Sequence, residues 1–262
     1  MENRFPNEQP ELFISLAAEL ASLNVDALVA INRIAALAAQ RASTTIPIVF
    51  VAVPNAVGNK LVASLGHPGG NITGLSNMAL DLTGKRLEFL RRIIPTLSRP
   101  ALLLNLNDKD GARQYLGEAQ AAAARLNVQL QAFEVGAPAD LAPAFNKMRN
   151  DGIDGVVVTQ DGLFYQTRQS IGDLGLAQRL PVIVYSRETV LAGALASYGP
   201  DNYGIFRRTG INVDKILKGQ RPAEIPVEEP TKFQFILNSK TANALGLTFP
   251  AIAFTQADEV IE

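Results

Sequence analysis

The chain has 262 residues, 47% of them hydrophobic, with a formal net charge of −1 and no cysteine, which is length enough for two α/β lobes with separate cores. Near-neutral charge without long Lys/Arg runs excludes the electrostatic footprint of a nucleic-acid or anionic-membrane binder, and the missing cysteines exclude disulfide and thiolate chemistry while leaving the compartment open. No apolar stretch approaches the roughly 20 residues that span a bilayer, and Met1 to Pro6 has nothing like the apolar region of a signal peptide.

Leu12, Leu16, Leu20 and Leu23 recur at helical spacing, predicting an amphipathic helix that leads into an apolar strand over Val25 to Ile31. An Ala-rich helix over Ile34 to Ala42, a buried strand over Ile46 to Val53 and a short helix over Val57 to Leu65 follow. The turn His67-Pro68-Gly69-Gly70-Asn71 precedes a short strand at Ile72 to Leu75. Leu82 to Ile94 reads as a helix with apolar residues on one face and Lys85, Arg86, Arg91 and Arg92 on the other, stopped by Pro95. Strands are then predicted at Ala101 to Leu106, Val128 to Val135, Val156 to Thr159, Val182 to Tyr185 and Leu195 to Tyr198, alternating with helices near 111–126, 140–150, 166–178 and 187–192. A long helix from Asn202 to Leu217 ends at Gly219, and Pro222, Pro226 and Pro230 make the next segment extended, a hinge candidate. Phe233, Phe235 and Leu237 alternate as a strand, and Thr241 to Leu245 forms a short helix closed by Gly246.

One phrase occurs twice. Val25-Asp26-Ala27-Leu28-Val29-Ala30 precedes Ile46-Pro47-Ile48-Val49-Phe50-Val51, and Ile153-Asp154-Gly155-Val156-Val157-Val158 precedes Leu180-Pro181-Val182-Ile183-Val184-Tyr185 at similar distance. Gly70 to Ser76 closes the first copy and Gly193 to Gly199 the second. Repetition and strict alternation of buried strands with helices predict two lobes with parallel sheets and a ligand cleft between them.

His67 is the only histidine and sits in a Pro/Gly turn, so a His-rich metal site is excluded and a histidine-based nucleophile has one candidate base in a surface loop. There is no phosphate-binding loop, and the glycines of Gly66 to Gly74 precede a strand where a dinucleotide fingerprint follows one. The carboxylate pairs Asp108 with Asp110 and Glu228 with Glu229 lie in polar loops and read as solvated charge. The informative residues follow the carboxyl ends of strands, where open α/β sheets bind ligands. In the first copy these are Asn32, Asn55, Thr73 and Ser76; in the second they are Asn105, Asp161, Phe164, Tyr185, Arg187, Glu188, Ser197 and Tyr198. Such edges can hold a zwitterion, with hydroxyls, amides and helix N-termini on the carboxylate, Asp161 on the ammonium and the aromatic rings on a side group. Each has a structural alternative: a helix cap for Asp161, local ion pairing for Arg187 and Glu188, core packing for Tyr198, and turn support for Asn55 and Thr73.

Ala63-Ser64-Leu65, Pro68 to Ser76, Gly84-Lys85-Arg86-Leu87-Glu88, Val213 to Gly219, Pro230-Thr231-Lys232-Phe233 and Ala257 to Ile261 resemble the ABC-transporter substrate-binding proteins of the tryptophan/tyrosine-binding-like group. The resemblance runs over almost the whole chain. It implies the type I periplasmic binding protein fold, two Rossmann-like lobes joined by three crossovers, closing on a small ligand and presenting it to a membrane permease. Amino acids, often aromatic, are the implied ligands, and the implied location is periplasmic. The family's signal peptide and first β-α-β are not found ahead of Glu11, so the first lobe is expected to be incomplete at its N-terminus.

The expected division is 1–97 with 200–228 as lobe 1 and 98–199 with 229–262 as lobe 2, with hinge crossings near 95–99, 198–202 and 226–232. The expected function is non-catalytic solute binding for an ABC importer, with no cofactor, no metal and no nucleic acid, and with the small ligand and the permease as partners. Two alternatives remain at this point: a Rossmann-like transferase with Asp161 or Glu188 as base, or the ligand-sensing domain of a regulatory system.

Overall fold

The structure, a computed structural model, describes residues 1–6, 9 and 11–262. The chain folds as two compact units, 1–78 with 201–232 and 79–200 with 233–262.

The first unit opens with α1 (Leu12–Ser22), β1 (Leu28–Ile31), α2 (Arg33–Ala42), β2 (Ile48–Val51) and β3 (Ile72–Leu75). These strands make a parallel three-stranded sheet in the order β1-β2-β3. Leu28, Ala30, Ile48, Phe50 and Ile72 face α2, whose Ala36 and Ala39 pack against them; the alternate residues Val49, Val51 and Leu75 pack on a helix contributed from residues after 200. Period-two alternation buried on both faces explains why these strands read as continuous apolar runs.

The second unit continues with α3 (Ala79–Ile93), β4 (Pro100–Asn105), α4 (Lys109–Leu126), β5 (Gln131–Val135), α5 (Leu141–Asn150), β6 (Gly155–Val158), α6 (Gly162–Gln166), α7 (Arg168–Ala177), β7 (Val182–Val184), α8 (Arg187–Leu191) and β8 (Ala196–Pro200). The helix α9 (Asn202–Leu217) belongs to the first unit, and β9 (Phe233–Asn238), α10 (Ser239–Leu245), α11 (Ala251–Gln256) and β10 (Glu259–Ile261) complete the second. Its seven-stranded sheet has the order β10-β9-β8-β7-β6-β4-β5. All its pairings are parallel except β8 with β9. Leu102, Leu104, Val157 and Ile183 point to α3 and α4 on one face, while Leu103, Val156, Val158 and Val182 point to the helices of the other. The repeated phrase corresponds to β1-β2-β3 in one sheet and β6-β7-β8 in the other, neighbours in the same order.

Four details differ from the sequence reading. The helix expected at Val57 to Leu65 is a single turn: Lys60 takes a left-handed φ of 58°, and bonds from Leu61 N to Ala56 O and from Lys60 N to Val57 O close it, the termination pattern of a helix end. Arg86, expected on the polar face of α3, is fully buried. The helix α3 itself, placed before the expected first boundary near residue 97, packs in the second unit through Leu80, Leu87 and Leu90. The crossing expected over 226–232 falls at its far end, between residues 232 and 233, and the Pro222 to Pro230 segment stays with the first unit: Val227 N donates to Leu65 O, Glu228 N to Gly74 O, and Glu228 bridges Leu75 along the free edge of β3. No helix among the described residues is long and apolar enough to cross a membrane.

Candidate functional site

In the first unit the predicted edge residues mostly serve the backbone. Asn32 caps α2, its Oδ1 accepting from Ala35 N at 3.0 Å, and Asn55, exposed at φ 49°, accepts from Gly58 N at 3.0 Å. Thr73 lies inside β3, fully buried, and donates through Oγ1 to Ile225 O at 2.6 Å. Ser76 Oγ accepts from Met78 N at 3.2 Å. Thr73→Val keeps the shape but leaves the Ile225 carbonyl unpaired, so it is expected to cost about 1–3 kcal/mol in urea unfolding. Ligand affinity of that variant should stay at the wild-type value in calorimetry; a selective loss of binding would return Thr73 to the site.

The second unit has a different edge. Between β4 and β6 the strand order reverses, since β5 continues from β4 on one side and β6 to β8 run out on the other. Such a switch point leaves a crevice outside the carboxyl ends of the two strands, because successive connections depart to opposite faces. Asn105 ends β4, and Gln160 and Asp161 follow β6. Asn105 Nδ2 donates to Asp161 Oδ1 at 2.8 Å across this point. Asp161 also caps α6, the same Oδ1 accepting from Leu163 N at 2.8 Å, which is its structural alternative. Burial raises its carboxyl pKa, against the opposing pull of the Leu163 and Asn105 hydrogen bonds.

Aromatic hydroxyls brace the same backbone. Tyr185 donates to Asp161 O at 3.0 Å, and Tyr115, from α4, donates to Gln160 O at 3.1 Å. Burial holds the Tyr185 hydroxyl well above the ordinary tyrosine pKa, so it is a neutral donor. Half-buried Tyr198 lies 4.6 Å from the Phe89 ring, which stacks on Phe235 at 4.3 Å. Gly199 lets β8 approach closely here, because a Cβ at that position would lie 2.0 Å from Tyr185 O.

The remaining predicted residues are elsewhere. Phe164 is 1% exposed and packs in the core with Val158 and Ile171, since the short helix α6 turns its ring back under the sheet. Ser197 is buried within β8, in register with Val184 and Ile236. Arg187 makes a two-pronged ion pair with Glu259, at 2.7 and 2.6 Å, which fastens α8 to β10; its pKa is raised by that pair. Glu188 is exposed in the first turn of α8.

Sequence reasoning missed Arg86, Tyr115 and Gln160. The guanidinium of Arg86 is enclosed, with Nε donating to Tyr198 O at 2.9 Å and Cζ 5.9 Å from the centre of the Tyr185 ring. Burial lowers its pKa to about 10, with Tyr115, Tyr185 and Tyr198 opposing the shift, so it is cationic at neutral pH. A signal was present: Leu82, Arg86 and Leu90 are spaced four apart, which places the arginine on the apolar stripe of α3. Among the described residues no group of three or more His, Cys, Asp or Glu is arranged to hold a metal.

The comparisons with known proteins agree with this architecture. Residues 5–261 match the family described as ABC transporter substrate binding protein. A tyrosine-binding protein of Clostridioides difficile (strain R20291) is 26% identical over 262 residues, covering 98% of this chain and 73% of the relative. A conserved domain protein from Vibrio cholerae superposes with a TM-score of 0.90 at 27% identity, over 96% of this chain and 84% of that one. The ABC domain from Streptococcus pneumoniae in complex with L-Trp gives a TM-score of 0.89 at 24% identity, over 97% and 84%. The family is one of solute-binding proteins rather than enzymes, with the type I periplasmic binding protein fold. With its profile matched from residue 5 to residue 261, this chain belongs to the ABC transporter substrate-binding protein family.

Proposed function

We propose that the protein is the solute-binding component of an ABC importer, that it works outside the cytoplasmic membrane, and that its ligand is an amino acid with an aromatic side chain. The observation that carries this reading is the crevice at the β4/β6 switch point, where Asn105 pairs with Asp161 and Tyr185 donates to the Asp161 carbonyl, with Tyr198 two strands away on β8. The Asp161 carboxylate has both its hydrogen bonds on Oδ1, which leaves Oδ2 to accept from the ligand's ammonium group. The half-buried rings of Tyr198 and Phe89, already packed on Phe233 and Phe235, offer their remaining exposed edges to an indole or phenol. Relatives named for tyrosine binding or solved with L-Trp support the ligand class. The permease is the partner that this role requires.

Titration calorimetry with L-tryptophan, L-tyrosine, L-leucine and D-glucose is the direct test. Binding of tryptophan or tyrosine with micromolar or tighter affinity is expected, with the ligand recovered unchanged; binding of the sugar alone, or chemical conversion of the ligand, would refute it. Saturating ligand is expected to reduce the radius of gyration in solution scattering, the closure anticipated from the duplicated lobe.

A further inference from the structure

We propose that Arg86 and Gln160 clamp the head group of the ligand, the arginine taking its carboxylate and the glutamine its amino N–H, so that the site selects α-amino acids with both ends free. This rests on the amino-acid-binding function proposed above. Arg86 is 0% exposed and keeps one nitrogen, Nη2, without a hydrogen-bond partner. Its other two nitrogens are used: Nε on Tyr198 O, and Nη1 on Thr83 Oγ1 at 3.4 Å. No carboxylate of the described residues pairs with it; the ionisable groups acting on it are Tyr115, Tyr185 and Tyr198. A buried cation without a counter-ion is costly, and an anionic ligand offsets that cost where a neutral one does not.

A second buried orphan follows β6. Gln160 Oε1, two residues past β6, is buried without a donor, and the backbone carbonyl of that residue receives the hydroxyl of Tyr115, one of the tyrosines acting on Arg86. Tyr185 has its ring under the Arg86 guanidinium and its hydroxyl on the backbone carbonyl of Asp161, the residue after Gln160. An unused donor of positive charge and an unused acceptor, on residues flanked by Tyr115 and Tyr185, are complemented by one molecule carrying a carboxylate and an N–H. An α-amino acid carries both on a single carbon, and Asp161 Oδ2 can share the ammonium with Gln160.

The test compares L-tryptophan and L-tyrosine with their amides, which keep the ammonium and the ring but lose the anion. Wild-type protein is expected to prefer the acid over the amide by about 30-fold or more, the size of a charged hydrogen bond. In Arg86→Met that preference should fall below about fivefold, whereas Gln160→Leu should weaken both ligands about tenfold and keep the ratio. Thermal unfolding checks that the variants are folded, and Arg86→Lys, which keeps stem and charge, should retain part of the preference if Arg86→Met fails to fold. An arginine that only props up Tyr198 predicts equal losses for acid and amide, and that result overturns the proposal. Wild-type protein that binds the amide as tightly as the acid overturns it without any variant while leaving amino-acid binding intact; failure to bind any amino acid instead refutes the function on which it rests.

Discussion

Asp161→Asn is expected to leave the unliganded protein at least as stable as wild type at neutral pH while weakening amino-acid binding about 10- to 100-fold, the loss of one charged hydrogen bond. The asparagine side-chain oxygen can accept from Leu163 N and Asn105 Nδ2 as the carboxylate does, each at 2.8 Å in the wild type. What disappears is a buried charge. Burial raises the folded-state pKa of Asp161 above its ordinary value, so the folded protein holds that proton more tightly than the unfolded chain. Stability therefore falls as pH rises from the unfolded to the folded pKa, and the penalty is complete above the latter. The variant carries no such titration, and its advantage should vanish as pH drops below the ordinary aspartate value of 3.8. Thermal unfolding across pH, with calorimetry on L-tryptophan, reads both effects. A variant that is destabilised at neutral pH yet binds normally would reduce Asp161 to a helix cap.

Leu90→Ala is expected to cost about 2–5 kcal/mol, the range for a buried leucine whose site relaxes incompletely. Leu90 is 0% exposed, and its Cδ2 lies 2.9 Å from where a Cβ on Gly155 would stand; the glycine in β6 is the socket for this side chain. Because α3 packs with the second sheet, hydrogen exchange in the variant should lose protection in β4 and β6 first and retain it in β1, β2 and β3. The reverse order would return α3 to the first lobe, where the sequence reading placed it.

The chain order of helices and strands was legible because it rests on local signals. Apolar runs of four to six residues bounded by Pro, Gly and Asn place β1, β2, β4, β6, β7 and β9 within a few residues of their observed limits, and the repeated phrase anticipated the matching neighbours in the two sheets. Failures came where a single backbone angle or a distant partner decides. Lys60 in the left-handed region ends the turn after Asn55, and the antiparallel β8/β9 pairing joins segments whose register no local spacing encodes. The place of Asp161 past the carboxyl end of β6 was legible because a polar residue just past a buried strand is an edge position by geometry alone. Phe164, three residues later, was misplaced because the rotation of a one-turn helix is set by what it packs on.

By itself, then, the sequence determined the fold class, the internal duplication and the family, all properties of periodicity and of ordered blocks along the chain. Tertiary structure alone decided that β4 and β6 are neighbours at a reversal of strand order, which turns Asn105 and Asp161, 56 positions apart, into a hydrogen-bonded pair. It also decided that a basic helical residue lies inside: whether Arg86 meets water or three tyrosines depends on which face of α3 the sheet covers, and burial is a property of the packed whole.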